Sequence, residues 1–246
     1  MRSALRSLLT LSLAAAPALA GGPIGTPTFS DPLDFDNPLF PFEEGAMKVF
    51  TGASDGEQTA VVDLYLEETR TLVTNGTPVE CHIMQETEFA GGMLVEISAN
   101  YFAQADDGTV YYFGEVVDIY EDGEVVSHDG SWLVGGPTEP TDPPDAATAL
   151  VPAVFMPEEP ETGDQWKPED LFPFVDETVT CLNDDVDFKV PAGSYEDGIK
   201  VKETSALSTS VGFKWYAPGI GFARSKSSGE FLLLVASTLL PVEDEE

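Results

Sequence analysis

The chain has 246 residues, with 44 Asp plus Glu against 11 Lys plus Arg and a formal net charge of −33. That balance excludes the basic groove a nucleic acid needs, and equally excludes attraction to an anionic membrane surface. Two Cys and two His are too few for paired zinc fingers or an iron–sulfur cluster, while 42% hydrophobic and 10% aromatic residues suffice for a buried core.

Residues 1–20 carry Arg2 and Arg6, an apolar stretch from Leu8 to Ala16, and Ala18-Leu19-Ala20 before Gly21-Gly22. This is the pattern of a cleaved Sec signal peptide, with an apolar run too short for a membrane anchor. The expected location is periplasmic or extracellular. From Gly21 to Gln165 the basic residues are Lys48 and Arg70 alone. The acidic excess reads as a solubilising surface, with divalent-cation binding as the sharper alternative. In an oxidising compartment Cys81 and Cys181 are expected to pair as one disulfide. Its loop of about 100 residues would stabilise the fold by up to ~4.7 kcal/mol through chain entropy. A nucleophilic cysteine is the rival reading.

Residues 21–45 read as irregular. From 46 to 238 the pattern is a single all-β domain of short runs with strand periodicity or strand composition: 60–66, 93–102, 110–120, 131–134, 177–190, 199–205, 211–216, 221–225 and 230–236. The run 177–190 has room for two strands around Asn183, and Pro168 to Pro173 for one helical turn. Asp-Gly at 55–56, 107–108, 122–123, 129–130 and 197–198, and Asn-Gly at 75–76, are hairpin-turn pairs. Their spacing lacks the ligand offsets of a calcium loop. The Pro-rich acidic stretch 135–147 reads as an insertion loop outside the core, and 239–246 as an acidic tail. The expected fold is an antiparallel meander forming a curved sheet, half-barrel or sandwich, with few or no helices.

Catalytic motifs are scarce. Ser127-His128-Asp129 is consecutive, and triad members must converge through space, so His128 reads as a surface residue. His82 and Met84 share a face of an extended chain and could ligate copper, but an exposed polar face is the plainer reading. Asp63, Glu96 and Glu115 interrupt apolar strands; Glu115 follows the aromatic run Tyr111–Gly114, where an inward acid would be notable, but an outward-facing residue on an alternating strand is the plainer reading. No nucleotide-binding loop is present, and no cofactor is expected. The aromatics are the most suggestive set. Tyr101, Tyr111, Phe113, Trp132 and Trp215 are candidates to line a concave ligand-binding face, with an ordinary core as the alternative.

Several segments, Asn37-Pro-Leu-Phe-Pro-Phe42, Tyr101–Glu115, Gly130-Ser-Trp132, Met156–Trp166, Val190–Asp197 and Tyr216–Phe222, resemble a widespread family of uncharacterised exported bacterial proteins. The resemblance spans about residues 37–222 and implies export and an all-β fold, with no catalytic role attached. The last two segments are also similar to exported curved-sheet proteins related to the lipoprotein-carrier fold, in which an incomplete barrel shelters an acyl chain. This sequence departs from that pattern in lacking long capping helices and in its insertion near 140.

The leading reading is a non-enzymatic exported protein that binds an apolar or amphipathic ligand, or a cell-envelope partner. The alternatives are a secreted hydrolase using a carboxylate pair and a calcium-stabilised structural protein.

Overall fold

Alternating apolar and polar residues, punctuated by Asp-Gly and Asn-Gly pairs, build fifteen strands and no helix over residues 26–239, the part of the chain that the computed structural model describes. The expected signal peptide and the acidic tail beyond 239 lie outside the described residues. The first five strands are β1 (Met47–Ser54), β2 (Glu57–Thr74), β3 (Thr77–Ala90), β4 (Met93–Gln104) and β5 (Val110–Glu121). Four short ones follow: β6 (Glu124–Ser127), β7 (Trp132–Val134), β8 (Ala147–Ala149) and β9 (Ala153–Met156). The rest are β10 (Gln165–Leu171), β11 (Val175–Val190), β12 (Gly193–Ser205), β13 (Ser208–Ala217), β14 (Gly221–Lys226) and β15 (Glu230–Ser237).

All fifteen belong to one sheet, whose main path runs β10-β11-β12-β13-β14-β15-β1-β2-β3-β4-β5-β7-β8. Every pairing is antiparallel except β7 with β8, which run parallel across the 135–147 loop. β9 pairs with β5 and reaches β10 at the other end of the path, where Trp166 Nε1 donates to the Phe155 carbonyl at 2.9 Å. The expected curved sheet is therefore a nearly closed barrel.

The turn chemistry is as the residues dictate. Asp55, Asn75 and Asp122 have φ near +50° and each is followed by a positive-φ glycine, the signature of two-residue hairpins closing β1–β2, β2–β3 and β5–β6. Asp197-Gly198 departs from expectation, because it lies inside β12 where the β11 register shifts. The β11–β12 turn is instead Pro191-Ala192. Residues 177–190 form one strand bent by register shifts around Asn183 rather than two strands. Residues 168–171 are extended, because pairing with β11 satisfies their backbone where a helical turn would not. β1, β3, β6, β8, β9 and β10 lie outside the runs with a strand pattern in the sequence.

The segment before β1 is irregular in backbone but fixed in place. It runs across one end of the barrel and stoppers it. Asn37, fully buried, donates through Nδ2 to the carbonyls of Gly108 and Pro157 at 3.0 Å and accepts from Leu39 N at 2.9 Å. Gln104 Oε1 accepts from the Asp36 and Asn37 backbone. Phe40 packs on Phe102 and Phe155, and Phe42 stacks on His82 at 4.0 Å. Gly219 N donates to the Pro38 carbonyl.

The acidic loop is also tied down, contrary to a loop outside the core. Asp142 and Pro143 are buried. Asp142 Oδ2 takes hydrogen bonds from Thr138 N and Glu139 N and an ion pair from Arg70 Nη2 at 2.7 Å, and Arg70 Nη1 donates to Tyr101 OH. The disulfide expectation needs correction too. Cys81 on β3 and Cys181 on β11 are both buried free thiols. Each sulfur is directed at a different backbone carbonyl, Val79 and Pro160 respectively, so the pair does not converge.

The Arg70–Asp142 pair has side chains only 5% and 2% exposed, and removing Asp142 leaves the buried guanidinium only the Tyr101 hydroxyl and the largely exposed Glu139 carboxylate at 3.6 Å. Asp142→Ala is expected to cost about 3–5 kcal/mol in urea unfolding, with Arg70→Met in the same chain recovering most of the loss.

Candidate functional site

Cross-strand register assembles the site. Lys48 lies opposite Asp63, Asp63 opposite Glu86, and Glu86 opposite Ser98, one row across β1 to β4. Two residues along, Tyr65, Met84, Asn100 and Glu115 form a parallel row across β2 to β5. Side chains two apart share a face, so both rows point the same way. That way is inward. Apart from Ser98, all of these residues line a cavity of about 390 Å³ enclosed by the barrel. Glu169, Glu177, Glu203 and Lys214 reach it from β10 to β13, and Phe40 of the stopper forms part of its floor.

The inward position of Glu115 contradicts simple alternation, and a β-bulge is the reason. Phe102 pairs with Tyr112 and Tyr101 with Gly114, so Phe113 has no partner on β4. The extra residue resets the period, and Tyr112 and Glu115 end on the same face although they are three apart. Gly114 is required there: φ is +121°, and an added Cβ would meet the Trp132 carbonyl oxygen at 2.1 Å. Asp63 also turns inward, and is 4% exposed. The outward placement expected for both acids is thus overturned.

The charges inside are unequal. Lys214 Nζ pairs with Glu203 at 2.8 Å. Lys48, 1% exposed, is held by the carbonyls of Ile220 and Phe222 and pairs with no carboxylate among the described residues. Asp63, Glu86, Glu115 and Glu169 have no ion-pair partner among the described residues. Asp63 Oδ1 is buried without a hydrogen bond. These acids border the cavity yet stand away from bulk water, so burial pushes them up. Asp63 rises to about 6 against the pull of Lys48. Glu86 rises to about 8, with the charges of Asp63 and Glu96 adding to burial. Burial also raises Glu169 and Glu203 to about 7 each, and carries Glu115 well above the usual carboxylate range. Lys48 falls to about 8 by burial, opposed by Asp63. Burial lowers Lys214 too, but Glu203 and Glu177 outweigh it and hold its ammonium well above the ordinary value.

Opposite the stopper the barrel is open. A second hollow of about 590 Å³ shares Glu169, Glu177, Glu203 and Glu230 with the first and is rimmed by the β1–β2, β10–β11, β12–β13 and β14–β15 turns. Phe172, Phe174 and Leu207 stand exposed on two of those turns.

The aromatic residues singled out from the sequence do not meet at this cavity. Tyr101 is buried against Arg70, and Phe113 is fully buried beside Phe29. Tyr111 and Trp132 border a different cleft of about 700 Å³ together with Trp166. Trp215 lies in an outer groove with the Arg224 guanidinium 4.4 Å over its ring. The rings that line the inner cavity are Phe40, Tyr65, Phe102, Tyr112, Phe155 and Phe222, among others. Alternation from Tyr101 would have separated Phe102 from it; the aromatic Asn37–Phe42 segment was a visible signal, but nothing local shows that it folds into the barrel end.

His82, Met84 and Glu86 share the inner face, not an exposed polar one. His82 Nε2 is 3.0 Å from the Leu33 carbonyl and its ring lies under Phe42, so the stopper, not a metal, occupies that nitrogen. His128 sits 37% exposed, 2.9 Å from Asp118 Oδ1, apart from Ser127 and Asp129. Among the described residues no group of three or more His, Cys, Asp or Glu is arranged to hold a metal ion.

The raised acids set a pH dependence with a definite sign. As pH rises from about 4.5 the folded chain keeps protons that the unfolded chain has released, on Asp63 up to about 6, on Glu169 and Glu203 up to about 7 and on Glu86 up to about 8, with Glu115 raised in the same direction. Their stabilising contribution is complete below the unfolded carboxylate values and is lost as pH rises through 6 to 8. Asp142 and Asp176, held low, act only below this window. Stability is therefore expected to fall from pH 5 to pH 8 by about 1 kcal/mol per pH unit or more, measured by urea unfolding in salt that screens the surface acids. The double variant Glu86→Gln, Glu115→Gln should flatten that slope.

No protein-family model matches the chain, and no curated protein matches it. Among solved structures, it is similar to a Bacteroides fragilis protein described as a candidate exported protein with a YmcC-like fold, at 13% identity and a TM-score of 0.41, over 81% of this chain and 98% of that one.

Proposed function

We propose that the protein is an exported, non-enzymatic binder that takes a small amphipathic molecule into the barrel through the open mouth. The observation that carries this reading is the inner cavity itself. It is of ligand size, closed at one end by the stopper, and lined both by aromatic rings and by carboxyl groups, one of which, Asp63, has an oxygen without a hydrogen-bond partner. A barrel whose interior served only stability would fill it with its own side chains. Export rests on the pattern of residues 1–20.

A hydrolytic reading has one observation in its favour. Burial, with the charges of Glu169 and Glu96 adding to it, raises the Glu115 carboxyl well above the usual carboxylate range, the direction a general acid needs. It would require water and a scissile bond to enter the same cavity. Turnover abolished by Glu115→Gln would support it over simple binding.

The binding reading is tested by native mass spectrometry of protein purified from the producing cell. A mass excess of hundreds of daltons, lost on denaturation, is the expected result. Met84→Trp, which fills the cavity from β3, should remove that excess while the protein stays folded by circular dichroism. An excess that persists in Met84→Trp would place the ligand elsewhere and overturn the reading.

A further inference from the structure

The inference here rests on the binding reading and names the chemical class of the ligand. Two observations bear on it independently. The first is the imbalance of charge around the cavity. Three lysines line the cavity: Lys214 is committed to Glu203, Lys48 to two backbone carbonyls, and Lys226 is exposed to solvent at the end of β14. Asp63, Glu86, Glu115 and Glu169 are left without an ion-pair partner among the described residues, all bordering one hollow. A cation inside would be attracted far more strongly than one at the surface, because little water screens it.

The second is Asp63 Oδ1. It is an acceptor on a residue 96% buried, it receives no hydrogen bond, and its carboxyl borders the cavity. A buried acceptor left unpaired costs free energy, which a donor brought by a guest would recover. Tyr112 cannot supply that donor, because its hydroxyl donates to Asn100 Oδ1 at 2.5 Å. Asn100 Nδ2 is likewise spent, on the Met84 carbonyl and Ser98 Oγ.

The rest of the lining says what kind of cation fits. Phe102, Tyr112 and Phe155 lie within 4.8 to 5.6 Å of one another, with Phe40 beneath them. Rings are poor ligands for a hard metal ion but good neighbours for an alkyl or aryl stem and for an ammonium group. We infer that the cavity binds an organic cation bearing N–H donors, a protonated amine with an apolar stem, whose head hydrogen-bonds to Asp63 and lies between Asp63 and Glu86 while its stem rests on the Phe40–Phe102–Phe155 cluster.

The head group is thus recognised by charge and by donation together. A quaternary ammonium supplies the first and not the second. A neutral alcohol supplies the second and not the first. A fatty acid brings a like charge to Asp63, which burial raises only to about 6.

Isothermal titration of the purified protein with hexylamine, hexyltrimethylammonium, hexanol, hexanoate and calcium chloride separates these cases. Hexylamine is expected to bind about tenfold or more tighter than hexyltrimethylammonium or hexanol, with hexanoate and calcium giving no binding. Asp63→Asn should weaken hexylamine by about tenfold, and Glu86→Gln provides the same readout should Asp63→Asn fail to fold. Hexanol or hexanoate binding as tightly as hexylamine would overturn the cation inference while leaving the cavity as a binding site. Calcium binding without hexylamine binding would overturn it in favour of a metal. Failure of every hexyl probe would count against the binding reading itself.

Discussion

A sheet of this many strands, once curled until its ends meet, encloses more space than ordinary side chains fill. Eight strands leave a barrel just wide enough to pack; here twelve contribute to the lining of one inner cavity. The rest of the structure is a response to that geometry. At one end the chain itself supplies the filling, as Leu39, Phe40 and Phe42 enter from the irregular segment before β1 and are fixed by Asn37, the most thoroughly bonded polar side chain of the stopper. At the other end none of the described residues does so, and the interior runs out to a mouth rimmed by four hairpin turns.

The electrostatics follow from the same enclosure. The chain is strongly acidic, yet the two basic residues between Gly21 and Gln165 are not on the surface. Lys48 and Arg70 are both buried, 1% and 6% exposed. Arg70 fastens the acidic 135–147 loop to the outside of β2, while Lys48 lies in the inner row beside Asp63. Each positions charge where the fold needs it. Lys214 does the same on the far wall. What remains inside is a one-sided excess of carboxylates, which stay partly protonated because the barrel keeps bulk water away. The aromatic floor next to them makes the interior amphipathic rather than simply acidic. This combination distinguishes it from a cavity built for an acyl chain.

Some of this was legible residue by residue. Asp55-Gly56, Asn75-Gly76 and Asp122-Gly123 announce hairpins because only such pairs accept two successive left-handed residues, and the hairpins are there. The run from Met93 to Tyr120 alternates cleanly enough to give β4, β5 and their connection. Other features were hidden for identifiable reasons. Glu115 faces inward because of one unpaired residue, Phe113, and a bulge leaves no mark in local hydrophobicity. Asp63 faces inward because both faces of β2 carry apolar residues, so alternation does not choose a side. The pairing of Cys81 with Cys181 was inferred from number and compartment alone, and distance is what decides it.

By itself, the sequence determined the local events: where most of the long strands run, where Gly and Asp let the chain reverse, and that an acidic, β-rich chain would form one curved antiparallel sheet. Those depend on neighbours within a few positions, or on composition. Only the tertiary structure decided which face of each strand became the interior, that residues 33–42 stopper the barrel, and that Asp63, Glu86, Glu115 and Glu169, spread over more than a hundred positions, surround one cavity. The reason is physical. Inside and outside are properties of closure, and closure is set by register shifts and by the meeting of β9 with β10, which no stretch of the chain contains on its own.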